Sequence, residues 1–149
     1  MTEAASPLGP GGGRPDDGIM PGRTDAEPTT VGILVVDDQA PFRSAARTLV
    51  RLVGGWRVVG EAVTGEEAVT MAAETHPDAV LMDINLPGID GFEATRRILA
   101  DRPETAVVLL STYPADDLPQ DPTSCGAVGY LRKEAVTPAA LRALLAPSR

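Results

Sequence analysis

From Val31 onward the chain alternates two textures. Short apolar runs occur at Val31–Val36, Arg57–Ala62, Ala79–Met82, Ala106–Leu110 and Ala127–Leu131. A strand wetted on one side alternates apolar and polar residues, so unbroken runs predict strands buried on both faces, as in a parallel sheet covered by helices. The stretches between them repeat apolar residues at three- and four-residue spacing. Pro41–Val53 places Phe42, Ala45, Ala46, Leu49, Leu52 and Val53 on one side and is stopped by Gly54 and Gly55. Glu66–Thr75 carries Ala68, Val69, Ala72 and Ala73 ahead of Pro77, and Phe92–Ala100 forms a third helix. The last, Pro138–Leu145, begins with a capping Thr137 followed by proline. This order predicts an α/β fold: a doubly wound, five-stranded parallel sheet with right-handed crossovers and helices on both faces.

Two stretches depart from the pattern. Between the fourth and fifth strands, where a fourth helix should run, stand Pro114, Pro119 and Pro122. A proline inside a helix costs about 3 kcal/mol or more, so an irregular segment is expected there. Residues 1–30 hold Pro7, Pro10, Gly11, Gly12, Gly13, Pro15, Pro21, Gly22 and Pro28, with no apolar periodicity. Such a segment cannot bury enough surface to offset its ordering entropy and is predicted to be a disordered leader. The folded domain is expected over residues 31–147.

Composition narrows the function. Net charge is −8 and no dense Lys/Arg cluster occurs, which argues against nucleic-acid binding through this chain. Aromatic residues make up 3%, so the core must be built from Val, Leu, Ile and Ala. No apolar run is long enough to span a bilayer, and the N-terminus lacks a basic start followed by an apolar stretch. Cys125 is the single cysteine and cannot close an internal disulfide. A cytoplasmic protein without membrane contact is expected. His76, before Pro77, is expected in an exposed turn and not as a ligand. Cys125 is read as a small apolar position, and Trp56 as packing at an edge where the second strand opens.

In open α/β sheets functional groups gather at the carboxyl ends of the strands. Here those ends carry Asp37 and Asp38, Asp83, Ser111 and Thr112, and Lys133. Each has an ordinary reading. Asp37-Asp38 can cap the first helix, Asp83 ahead of Pro87-Gly88 can belong to a turn, Ser111 can close a strand end, and Lys133 can be solvated. Their joint occurrence at successive strand ends favours a site. Three converging carboxylates raise one another's pKa unless a hard divalent cation joins them, and an all-oxygen set suits Mg²⁺ or Mn²⁺. With a hydroxyl and an ammonium opposite, the group would surround a tetrahedral dianion carried by one carboxylate.

The same residues carry a family resemblance. Ile33–Asp38 reads I-L-V-V-D-D, Val80–Gly91 reads V-L-M-D-I-N-L-P-G-I-D-G, Leu109–Thr112 reads L-L-S-T, and Gly129–Lys133 reads G-Y-L-R-K. In this order and spacing the chain resembles the flavodoxin-like receiver domain of two-component response regulators, with wording similar to LuxR-type regulators; without the DNA-binding domain those normally carry, it is expected to be either a stand-alone receiver or a fragment. The resemblance implies that Asp83 is the phosphoacceptor. Asp38 would bind Mg²⁺ directly, Asp37 through water, and Asn85 through its backbone carbonyl. Ser111 and Lys133 would hold phosphoryl oxygens, with Ser111 and the aromatic Tyr130 forming the switch. The implied phosphodonor is a sensor histidine kinase and the implied output a contact with an unidentified downstream protein. Such a domain assists only its own phosphorylation and dephosphorylation and is not otherwise an enzyme. Two rivals differ in class. One is a degenerate receiver that binds a partner without phosphorylation. The other is a phosphatase similar to the haloacid dehalogenases, disfavoured because Asn85 stands where a second aspartate is needed. A nucleotide-binding module is disfavoured because no Gly-rich loop follows the first strand.

Overall fold

The computed structural model describes residues 30–145, with the side chain of residue 115 left aside. The leader predicted over 1–30 lies, but for residue 30, outside the described residues, as do residues 146–147 of the expected domain. Strand β1 (Val31–Val36) is followed by α1 (Ala40–Leu52), β2 (Trp56–Ala62), α2 (Gly65–Thr75), β3 (Ala79–Asp83), α3 (Gly91–Asp101) and β4 (Ala106–Ser111). Two 3-10 turns, Ala115–Asp117 and Pro122–Cys125, then lead to β5 (Gly129–Arg132), a further turn at Lys133–Ala135, and α4 (Pro138–Leu145). All strands pair in parallel, in the order β2-β1-β3-β4-β5.

The unbroken apolar runs have a direct cause. Successive residues of β1 enter opposite cores: Ile33 and Val35 pack with α1 and α4, Leu34 and Val36 with α2 and α3. Both faces are dry, so no position of a central strand is free to be polar. Side-chain caps start the helices. Thr64 accepts from Glu67 N at 3.0 Å while the Glu67 carboxylate reaches back to Val63 N at 2.7 Å, and Asp90 accepts from Glu93 N at 2.9 Å. The expected Thr137 cap is present, with Ala140 N donating at 3.0 Å. The Asp37-Asp38 cap is not: Gln39 occupies the cap position of α1 and makes no side-chain cap bond.

The proline-rich segment forms the two short turns in place of a helix, as the proline spacing requires. Asp121 caps the second turn through Thr123 N at 2.8 Å, Gly126 closes it at φ 98°, and Cys125 is buried in the core beneath. Sequence and structure differ at β5, expected over Ala127–Leu131 and found over Gly129–Arg132. Ala127 is apolar because it fills the core, not because it is in the sheet; it follows directly on the left-handed Gly126. Trp56 opens β2 half-buried against the core.

His76 ends α2 in the left-handed conformation (φ 48°) and is the one non-glycine residue with positive φ among the described residues. A Cβ there costs about 1–2 kcal/mol, of which the greater freedom of glycine in the unfolded chain returns part. His76→Gly is therefore expected to raise the unfolding free energy by about 0.5 kcal/mol in urea titration. A loss of stability would show that the imidazole makes a contact that outweighs the strain.

Candidate functional site

The strand order reverses between β2 and β3, which flank β1, and a crevice opens at the carboxyl ends there. Asp37 and Asp38 follow β1 and Asp83 ends β3. Their carboxylates each offer an oxygen within 4.8 Å of the others. Asp37 is fully buried and Asp83 is 3% exposed, whereas Asp38 faces solvent. Lys133, directly after β5, sends its ammonium across the sheet end to Asp37 Oδ2 at 2.6 Å and Asp83 Oδ2 at 3.5 Å. The ammonium also lies 4.8 Å from the centre of the Phe42 ring, over its face. A cavity of about 230 Å³ is lined by Asp38, Gln39, Asp83, Asn85, Thr112 and Lys133.

Backbone groups hold this arrangement. Asp37 Oδ1 accepts from Gln39 N at 2.8 Å, and its carbonyl accepts from the Arg43 guanidinium at 2.8 Å. Asp83 Oδ1 accepts from Asn85 N at 3.2 Å. Ser111 is buried at the end of β4, one residue beyond the partner of Asp83 in the register, and its oxygen accepts from Tyr113 N at 3.0 Å. The hydroxyl hydrogen of Ser111 has no acceptor among the described residues and is free to be donated. Tyr130 lies on β5 opposite Leu109 and packs into the α2–α3 core, where its hydroxyl is buried without a hydrogen-bond partner.

Burial pushes the Asp83 carboxyl up to about 6, helped by the Asp37 charge and opposed by Lys133 and the Asn85 N–H. The Lys133 ammonium takes up part of the negative charge, but Asp37 Oδ2 still accepts no hydrogen bond of good geometry despite its proximity. Three carboxylates converging within 4.8 Å, with a single ammonium to offset them, are an all-oxygen donor set that fits Mg²⁺ or Mn²⁺.

The structure thus brings together Asp37, Asp38, Asp83, Asn85 and Lys133, and sets Ser111 on the adjoining strand end. Tyr130 lies away from the acids, in the core beneath. Sequence reading missed Gln39, Phe42 and Arg43 as parts of the site, and named Thr112 at its strand end without giving it a role. The signal for Gln39 was adjacency to Asp38. Phe42 was read only as part of the apolar stripe of α1.

A five-stranded parallel sheet in this order, with helices on both faces and an acid trio and a lysine at its carboxyl edge, has the flavodoxin-like receiver architecture. The model of the response regulator receiver domain matches residues 33–146, and the chain belongs to that family. It is 40% identical over 105 residues to the response regulator GacA of Pseudomonas viridiflava, and 38% identical over 105 residues to the response regulator UvrY of Escherichia coli K12. Those alignments take in 70% of this chain but 49% and 48% of the relatives, so the chain spans about half their length. Among solved structures, a LuxR-family two-component response regulator from Aurantimonas sp. SI85-9A1 superposes with a TM-score of 0.72 at 34% identity, covering 81% of this chain and 89% of that one. The receiver domain of sensor histidine kinase PA1611 from Pseudomonas aeruginosa PAO1, which has a magnesium ion coordinated in its active-site cleft, superposes with a TM-score of 0.68 at 28% identity, covering 78% and 95%. Among the described residues no helix is long and apolar enough to cross a membrane.

Proposed function

We propose that this receiver takes a phosphoryl group from the phosphohistidine of a sensor histidine kinase onto Asp83 and thereby switches a protein-binding surface. The observation that carries the reading is the reach of one ammonium, Lys133, to both Asp37 and Asp83 inside a cluster of three carboxylates. Asp38, Asp37 and the backbone carbonyl of Asn85 would hold Mg²⁺ or Mn²⁺, with Asp83 as the remaining ligand. Bound there, the cation neutralises charge between the acids and the incoming phosphoryl oxygens.

A carboxylate oxygen of Asp83 forms the new bond to phosphorus as the bond from phosphorus to the kinase imidazole nitrogen breaks, and the electron pair stays on that nitrogen. Lys133 offsets the charge that repels the phosphoryl group, and Asn85 N–H fixes the orientation of the Asp83 carboxyl. The Ser111 hydroxyl donates a hydrogen bond to a phosphoryl oxygen. Water later displaces phosphate and restores the carboxylate. No other reaction is assigned to the chain: it assists its own phosphorylation and dephosphorylation only. We place it in the cytoplasm, where histidine kinases present phosphohistidine, with a downstream protein and not nucleic acid as the partner of this chain.

Incubation with a small acyl phosphate or phosphoramidate and Mg²⁺ is expected to raise the intact mass by one phosphoryl group, removable by hydroxylamine. An unchanged mass with both donors would instead favour a degenerate receiver that binds its partner without phosphorylation.

The inward Tyr130 belongs to the same switch, with Ser111. A buried hydroxyl without a partner costs about 1–3 kcal/mol, and that cost supports a residue poised between two positions. Tyr130→Phe is expected to stabilise the unphosphorylated protein by about 1 kcal/mol in urea titration. A destabilised Phe variant would show that the hydroxyl has a partner in solution.

A further inference from the structure

A second cavity, about 490 Å³, lies away from the acids, along the edge of the sheet. It is lined by residues 56–61 of β2 together with Arg47, Val50 and Arg51 of α1. Six consecutive residues of an extended strand point alternately to opposite faces, so a cavity touching all of them runs along the main chain itself. Among the described residues β2 pairs with β1 alone; beyond Trp56, whose N–H donates to Val53 O at 3.3 Å, its other edge has no strand partner for its N–H and C=O groups. The strand has seven residues, on the order of 20 Å, contains no proline to block pairing, and carries one register shift against β1, at Val59.

The charge on this edge is specific. Glu61 is held by Arg47 at 2.7 Å and Arg43 at 3.4 Å, which neutralises the acid of the strand and draws it toward α1. Arg51 and Arg57 are exposed and have no acidic partner among the described residues. In a chain of net charge −8 they form a cationic border to the groove, whose floor is apolar at Trp56 and Val58. A second copy of the chain is a poorer occupant, because a two-fold β2–β2 pairing centred on Val59 would set Arg57 opposite Glu61, an acid that Arg47 and Arg43 already neutralise. A small anion would use the arginines but neither the backbone edge nor the apolar floor.

We propose that the free edge of β2 binds an extended acidic segment of a partner protein by strand addition. Its backbone continues the sheet, alternate apolar side chains settle on Trp56 and Val58, and its carboxylates meet Arg51 and Arg57. The surface is separate from the Asp83 site and its binding does not depend on phosphorylation.

Trp56 is the single tryptophan of the chain, so its fluorescence reports on this groove directly. The probe is a seven-residue peptide alternating Glu and Val, titrated into the full chain, with backbone amide shifts of residues 56–61 as a second readout. Saturable changes at both are expected. Arg51→Glu with Arg57→Glu should weaken binding about tenfold or more, as two exposed attractions become repulsions. Circular dichroism and Asp83 labelling verify that this double variant is folded. A peptide of the same charge with proline at its centre should also bind about tenfold more weakly, because it breaks the ladder. The proposal is overturned by any of four results: no saturable change, equal binding of the proline peptide, equal binding of tripolyphosphate, or a concentration-dependent dimer that shifts the same amides.

Discussion

Asp83→Asn is expected to lose all phosphoryl incorporation and, in metal-free buffer at neutral pH, to become more stable than the parent. The first effect follows from chemistry: an amide oxygen in place of the carboxylate has neither the charge nor the basicity to attack phosphorus. The second follows from the environment. Asp83 titrates near 6 in the folded chain against an ordinary value of 3.8, because burial and the Asp37 charge oppose its ionisation. A carboxyl raised on folding favours the folded state fully below pH ~4, and this support fades as pH climbs through about 6. Asn has no such loss. The advantage of the variant should thus be absent at pH 4, grow between pH 4 and 6, and level off above. Two pKa units correspond to about 3 kcal/mol. Solvent at the mouth of the crevice reduces this to about 1–2 kcal/mol. Added Mg²⁺ should narrow the gap, since a cation that binds only the folded parent stabilises it by mass action. Labelling of the Asn variant at the parental rate would move the acceptor elsewhere. A variant less stable than the parent at pH 7.5 without metal would refute the account of Asp83 as a carboxylate under strain.

The strands and the site lysine were legible for the same reason. A central parallel strand must be apolar throughout, so the first polar residue after each run marks the carboxyl edge where function collects. Asp37, Asp83 and Ser111 each stand at such a point, and Lys133 follows β5 directly. Phe42 was hidden by that logic. A helix period says that its ring faces inward but not that the ring lies under an ammonium supplied 91 residues later. Arg43 was hidden too, because its contact is to a backbone carbonyl, which no side-chain motif records. The missing helix before β5 was legible in three prolines, since each removes an N–H donor and clashes with the preceding turn wherever it falls inside a helix. The shift of β5 was not legible, because an apolar Ala127 satisfies a core and a sheet equally.

Gly91→Ala is expected to damage both the fold and the site, although the residue carries no chemistry. Gly91 begins α3 and its N–H donates to Ile84 O at 2.9 Å, so the helix start is tied to the end of β3. A Cβ at this position would collide with the Asp83 carbonyl oxygen and lie 2.8 Å from Ile84 Cα. Both are backbone atoms and neither can rotate away. The methyl group therefore has to displace either α3, which buries Phe92, Ala94 and Ile98 in the core, or the strand end that aims Asp83. Overpacking of this kind costs about 1–3 kcal/mol, and more when backbone must move. The same displacement shifts Asn85, whose N–H orients the Asp83 carboxyl, so labelling should slow about tenfold or more even in conditions where the variant remains folded. Urea titration measures the first effect, and intact-mass labelling of the folded variant measures the second. Gly65→Ala is the matched comparison: its Cβ would meet Ile89 backbone oxygen at 2.6 Å, in the same loop but further from Asp83. It should destabilise comparably while slowing labelling less. If Gly91→Ala folds with parental stability and takes up phosphate at the parental rate, the packing of α3 against the strand end does not position Asp83.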